Sequence, residues 1–226
     1  VSNGRVEFGI GAGWMSDDYD TAGIPFDKAG IRIDRMVEAI DVVRGLWSGQ
    51  PLNFQGEHYV VRDMTGAPSP CRPGGPPIIV GGGGKRVLTE AARRADIVGL
   101  NASLRSGSVG PETALSALGE RFLERRNWVE KAAGDRFPHI ELQMNTFMVA
   151  VTATTSEADE MFEGMAPMFG ITPEQARTIP MVLAGTVEDI CDQLHRHREL
   201  YGTSYWVIHD GEIDAMAPVV ERMRGK

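Results

Sequence analysis

Apolar residues along this chain fall into short runs separated by longer stretches of helical spacing, and each change of period marks an element. Arg5 to Ala12 (RVEFGIGA) is compact and apolar, with Gly9, Gly11 and Gly13 closing it, which predicts a covered strand entering a tight loop. From Ile33 the positions Met36, Val37, Ile40, Val43 and Trp47 follow three- and four-residue steps, the pattern of an amphipathic helix laid on a sheet. Trp14 to Gly30, with Asp17, Asp18, Tyr19 and Asp20, reads as a loop longer than a strand-to-helix link needs, and so as a functional one. Phe54 to Val61, around Gln55-Gly56-Glu57, predicts a small surface hairpin.

Pro76 to Val80 predicts a second buried strand that empties into Gly81, Gly82, Gly83 and Gly84, and Lys85 to Arg94 then takes helical spacing. Asp96 to Asn101 is a third strand, and a Ser, Gly and Pro loop leads to a helix from about Glu112 to Ala133. His139 to Thr152 reads as the fourth and longest strand. Ser156 to Met165 predicts a helix, Thr172-Pro173-Glu174-Gln175 opens another with a capping box and proline at its first position, and Thr186 to Leu200 gives one more. Ser204 to His209 is a fifth strand, followed by a terminal helix that Pro218 is expected to shorten or kink.

Strands alternating with helices predict parallel α/β architecture, and without a low-complexity linker residues 1–226 read as one domain. Five strands are too few to close an eight-stranded barrel; at about 30 residues per unit, three more would restore the usual length of about 250. The expectation is an incomplete (β/α)8 barrel. Composition adds exclusions: 23 basic against 31 acidic residues leave a net charge of −8, which disfavours nucleic acid and anionic membrane surfaces as partners. The apolar runs are too short to span a bilayer, and the start of the chain lacks a signal-peptide pattern. Cys71 and Cys191 have neither CxxC spacing nor paired histidines, so a metal site or disulfide framework is not expected and a cytoplasmic setting is.

The candidate chemistry is in the glycines. A phosphate needs backbone N–H donors without side-chain bulk, and Gly81 to Gly84 at a helix start supply donors and a favourable dipole. The competing reading is a flexible turn. No Ser or Thr follows Lys85, which excludes a Walker A loop, and Gly9, Gly11 and Gly13 alternate as GxGxG, which excludes the Rossmann fingerprint. At the C-terminal end of a barrel strand, Gly11, Ala12 and Gly13 would let a planar ring or its tail approach the backbone; Gly9 reads as helix packing. Trp14 either walls a substrate pocket or fills core. Asn101 either bonds a cofactor or simply ends its strand. His209 and Asp210 stand at the same rim. His195 and His197, two apart on a helix, diverge by about 200° and read as a solvated face rather than a metal pair. Glu141, Gln143 and Asn145 alternate with apolar residues and read as satisfied interior groups.

GRVEFGIGAGW (Gly4 to Trp14), IDRMVEAIDVVRGLW (Ile33 to Trp47), FQGEHY (Phe54 to Tyr59) and PPIIVGGGG (Pro76 to Gly84) together resemble the bacterial luciferase-like monooxygenase family. AARRADIVGLN (Ala91 to Asn101) and the segment Ala184 to Ile208 continue the match in order and spacing. In detail the chain is most similar to the branch using the deazaflavin coenzyme F420, with FMN as the alternative cofactor. The resemblance implies a TIM barrel in which Arg5 to Ala12 is the fourth strand, so that strands four to eight are present. It also implies a small-molecule substrate, a homodimer, and hydride transfer or, with FMN, oxygenation. A non-catalytic half-barrel that binds a ligand or partner is the rival from another class. Some deazaflavin-dependent members carry a glutamate proton donor just after this strand; here Trp14 stands there, and an indole donates no useful proton, so the catalytic acid is unassigned.

Overall fold

The computed structural model describes residues 2–105, 107 and 109–225. In chain order the elements are β1 (Phe8–Ile10), α1 (Ser16–Ala22), α2 (Ala29–Trp47), β2 (Leu52–Gln55), β3 (Val60–Met64), β4 (Ile78–Gly82), α3 (Lys85–Arg94) and β5 (Ile97–Leu100). They continue with α4 (Pro111–Ser116), α5 (Gly119–Ala133), β6 (Glu141–Asn145), β7 (Met148–Val151), α6 (Thr155–Met165), α7 (Pro173–Arg177), β8 (Val182–Gly185), α8 (Val187–Tyr201), β9 (Thr203–Val207) and α9 (Ile213–Met223). Five parallel strands form the main sheet in the order β1-β4-β5-β6-β9; β2 and β3 make the hairpin, and β7 pairs in parallel with β8. The fold is α/β with a parallel sheet as expected, and the sheet is not closed: β1 and β9 are its two edges.

The sheet nevertheless curls far enough that its edges meet: the Tyr205 hydroxyl on β9 donates to a Glu7 carboxylate oxygen beside β1 at 3.0 Å. Inside the curl, one lateral row runs Gly81, Gly99, Gln143 and Tyr205 across β4, β5, β6 and β9. Gly99 makes room for Gln143, which is 5% exposed; a Cβ there would lie 2.8 Å from its Oε1. Outside, helices cover the sheet with faces set by their spacing. Ile33, Met36 and Ile40 are the buried stripe of α2, Leu88, Ala91 and Ala92 that of α3, and Phe122, Val129 and Ala133 that of α5. A second core joins Leu183, Ile190, Leu194, Met216 and Val219 where α8 and α9 cover β7 and β8.

Several expected boundaries are corrected. The long loop contains α1, held by Tyr19, whose hydroxyl donates to the Ala12 carbonyl at 3.2 Å and whose ring meets Phe26 edge-on at 4.9 Å. The helix expected from Glu112 to Ala133 is two, α4 and α5, because Leu118 leaves helical geometry at φ −58°, ψ 147° and Gly119 passes tightly beside Thr178. Ser106 and Ser108, part of the expected loop before it, lie outside the described residues. The long fourth strand is also two: Thr146 N–H donates to Val207 at 2.9 Å, but Phe147 N–H donates to Met181 at 2.6 Å, so the backbone changes partner from β9 to β8. Pro218 does not shorten α9, which runs on to Met223 because Met216 and Val219 are buried on either side of it.

His195 and His197 are both partly covered, but the solvated reading fails for the His197 ring. The His197 ring stacks on Trp206 at 5.4 Å and lies 5.6 Å from Tyr201, and its Nδ1 is buried without a hydrogen-bond partner. Burial, with a smaller push from Arg196, holds its pKa down to about 4 against an ordinary 6.5. Above the ordinary value both folded and unfolded imidazoles are neutral. As pH falls toward 4, the unfolded chain accepts a proton that the folded chain refuses, so stability declines by up to about 3 kcal/mol. Urea midpoints measured between pH 7.5 and 4.5 should show this decline, and His197→Phe should flatten that part of it. Equal acid sensitivity in the two proteins would contradict the buried placement.

Candidate functional site

A cavity of about 1240 Å³ opens at the carboxyl ends of the main-sheet strands. Gly11, Ala12 and Gly13 enter it after β1, Gly81 to Gly84 from the end of β4, Asn101 after β5, Asn145 from the end of β6 and His209 after β9. Trp14, 37% exposed, lines it as well. Every residue that the sequence nominated for the cofactor, with Trp14 and His209, is therefore in one concavity, at the end of the fold where β/α barrels build their sites, whereas Asp210 lies outside its lining.

The glycines have different reasons for being glycine. A Cβ on Gly83 would lie 2.3 Å from the Ala102 carbonyl oxygen, one on Gly82 would lie 2.4 Å from Val87, and one on Gly81 would crowd the Asn101 amide at 3.0 Å. Gly84 and Gly11 meet nothing within 4 Å and face open space. Gly84 is the N-cap of α3, which no side chain caps, so the first-turn N–H groups beside it are left for another acceptor. Gly13 has φ +74° and would drive a Cβ into the Tyr19 hydroxyl, which accounts for it by turn geometry. Gly9 is corrected: nothing lies within 4 Å of its missing Cβ, because its register puts it on the sheet face of Ile79 and Gly81, inside the curl and not under a helix.

Two arginines hold the loops that carry these glycines. Arg32, on α2, donates from Nε to the Ala12 carbonyl at 3.1 Å and from Nη2 to Gly13 at 3.4 Å, bonds the Asp27 carbonyl, and stacks 3.9 Å over Phe26. Arg125, on α5, donates from Nε to the Gly83 carbonyl at 3.0 Å and from Nη1 to Ser116 at 2.7 Å. Sequence reasoning missed both. For Arg125 a signal existed, since it shares the 122, 125, 129, 133 stripe with the buried face of α5.

The charge of the cavity opposes that of the chain. Lys28, Arg32 and Arg105 line it against one acid, Asp27, which is itself paired with Arg35 at 2.6 Å. His209 Nε2 lies 3.2 Å from the Thr146 carbonyl; since a carbonyl only accepts, Nε2 carries the proton. Gln143 Nε2 donates to Asn145 Oδ1, which turns the Asn145 side chain into a continuation of the interior network. Across the lining, Phe147, Phe169, Ile171, Ile179 and Met181 form an apolar wall. Among the described residues no cluster of three His, Cys, Asp or Glu could hold a metal, and no helix is long and apolar enough to cross a membrane.

A curled parallel sheet with a glycine-lined, cationic cavity at its strand ends defines a protein of the β/α-barrel type whose barrel is not closed. The family model described as luciferase-like monooxygenase matches residues 1–203, and the chain belongs to that family. It is 35% identical over 103 residues to the 5,10-methylenetetrahydromethanopterin reductase of Archaeoglobus fulgidus, and 31% identical over 96 residues to the F420-dependent glucose-6-phosphate dehydrogenase of Amycolatopsis mediterranei. These alignments cover 46% and 42% of this chain and only 29% and 28% of those relatives. Among solved structures, an F420-dependent secondary alcohol dehydrogenase in complex with an F420-acetone adduct is similar with a TM-score of 0.70 at 19% identity, over 98% of this chain and 70% of that one. A long-chain alkane monooxygenase is similar with a TM-score of 0.69 at 16% identity, over 99% of this chain and 63% of that one. The luciferase-like, TIM-barrel type of fold expected from the sequence is thus shared with both.

Proposed function

We propose that the cavity binds coenzyme F420 and that the chain serves hydride transfer between this cofactor and a small organic substrate. The observation that carries this reading is Gly84: an open N-cap at the mouth, on a helix with no side-chain cap, beside a turn whose other glycines are fixed by packing. Such a helix start suits a phosphate. Gly81, Gly82, Gly83 and Asn101 frame that position, and Gly11 and Ala12, after the neighbouring strand β1, offer close backbone approach in the same cavity. Lys28, Arg32 and Arg105 favour F420 over FMN, because its phosphodiester and carboxylate tail spreads more negative charge along the mouth.

The bound cofactor supplies the hydride chemistry; the chain positions it and excludes water. Trp14 and the apolar wall from Phe147 to Met181 do the shielding, and they suit a substrate with an apolar body. Titration with F420 and with FMN, followed by fluorescence and under air, tests the reading. Tight F420 binding with at least tenfold weaker FMN binding is expected, without oxygen uptake. FMN preference with oxygen consumption would replace it with the oxygenase alternative, and binding of neither cofactor by the folded chain would favour a non-catalytic role.

A further inference from the structure

We propose that Arg125 is the fixed counter-charge of the cofactor phosphate, a positioning residue that acts from beneath the glycine turn; this rests on the phosphate reading given above. Arg125 is 4% exposed, and both of its close contacts are neutral carbonyls, those of Gly83 and Ser116. Among the described residues it joins no ion pair, whereas the adjacent Arg126 is bonded to Glu130 at 2.6 Å. The charges that face it are Glu124, which favours its cation from a distance, and Arg121, which opposes it; its one ring contact is Phe122, 5.1 Å from the guanidinium carbon.

A buried cation without a counter-ion is costly, and two carbonyls alone do not require one, since a neutral amide would satisfy them. The charge strengthens these two bonds, one of them to the last carbonyl of α4, and its reach extends to an anion held on the far side of the glycine turn. Gly83 immediately precedes the open N-cap Gly84, and its own backbone rests on Ala102 and Ser103. Ser103 N–H in turn donates to the Ser116 hydroxyl at 2.8 Å. Arg125 therefore ties the two backbone segments of the cradle together and sets a full charge in a low-dielectric position behind the partial charge of the α3 start.

The test compares ligands that differ by the phosphate. Dissociation constants of the full chain are measured for FMN against riboflavin, and for F420 against the deazaflavin alcohol lacking the phosphate tail, in the parent, Arg125→Gln and Arg125→Lys. The parent should prefer the phosphorylated member of each pair at least tenfold. Arg125→Gln, which keeps an amide donor and removes the charge, should lose at least tenfold in affinity for the phosphorylated ligands and less than threefold for the others. Arg125→Lys should keep the preference within threefold of the parent. Equal losses for both members of a pair, or a preference intact in Arg125→Gln, would overturn the proposal and leave the phosphate reading standing. If Arg125→Gln does not fold, loss of the preference in folded Arg125→Lys overturns it and retention supports it. A parent without any preference would remove the phosphate reading itself.

Discussion

Gly84→Val is expected to weaken F420 or FMN binding at least tenfold, about 1.4 kcal/mol, while costing about 1 kcal/mol or less of folding stability, the loss of a glycine N-cap. Its backbone, at φ −98°, ψ 148°, accepts any side chain, and a Cβ there meets nothing within 4 Å, so the only structural cost is the poorer helix cap. The new methyl groups would stand where the ligand must reach the N–H groups of α3. Gly83→Ala gives the opposite result for a physical reason one residue away. Its Cβ would lie 2.3 Å from the Ala102 carbonyl oxygen, a backbone atom that cannot swing aside, and the expected cost is about 1–3 kcal/mol of folding stability. Isothermal titration and urea melts on the two variants separate ligand space from packing. A Gly84→Val protein that binds as the parent does would remove the cradle from the site.

The second large effect lies in the helix that carries Arg125. Phe122 is 0% exposed, is edge-on to Tyr201 at 6.2 Å and supports the Arg125 guanidinium at 5.1 Å. Phe122→Ala should cost about 3–5 kcal/mol, from lost transfer free energy and the cavity left behind. Domains of this kind hold only about 5–15 kcal/mol in total, so the urea midpoint should fall steeply. A loss below about 1 kcal/mol would mean that α5 does not pack on α3 and α8 through this ring.

What the sequence made legible follows from which residues bear a periodic signal. The stripes of α2, α3 and α8 repeat at three and four residues, and Pro76 to Gly84 announces strand, turn and helix in order, so these elements and the gathered glycines could be read directly. α1 was hidden because Ser16 to Ala22 buries none of its residues and has no apolar face to reveal it. The break between β6 and β7 was masked by an apolar pattern that continues through it, since only the identity of the hydrogen-bonding partner changes. Arg125 and His197 were read past for one reason: each is a polar residue on a buried stripe, among charged neighbours that suggested solvent.

That change of partner at Thr146 and Phe147 also divides the labour of the molecule. The glycines, the α3 start and Arg125 belong to the frame built on the main sheet, whereas the apolar wall comes from residues 147–182, which leave that frame for the β7–β8 pair and its helices. Substitutions in that wall can therefore reshape one part of the chamber while the strand ends that carry the glycines stay where they are.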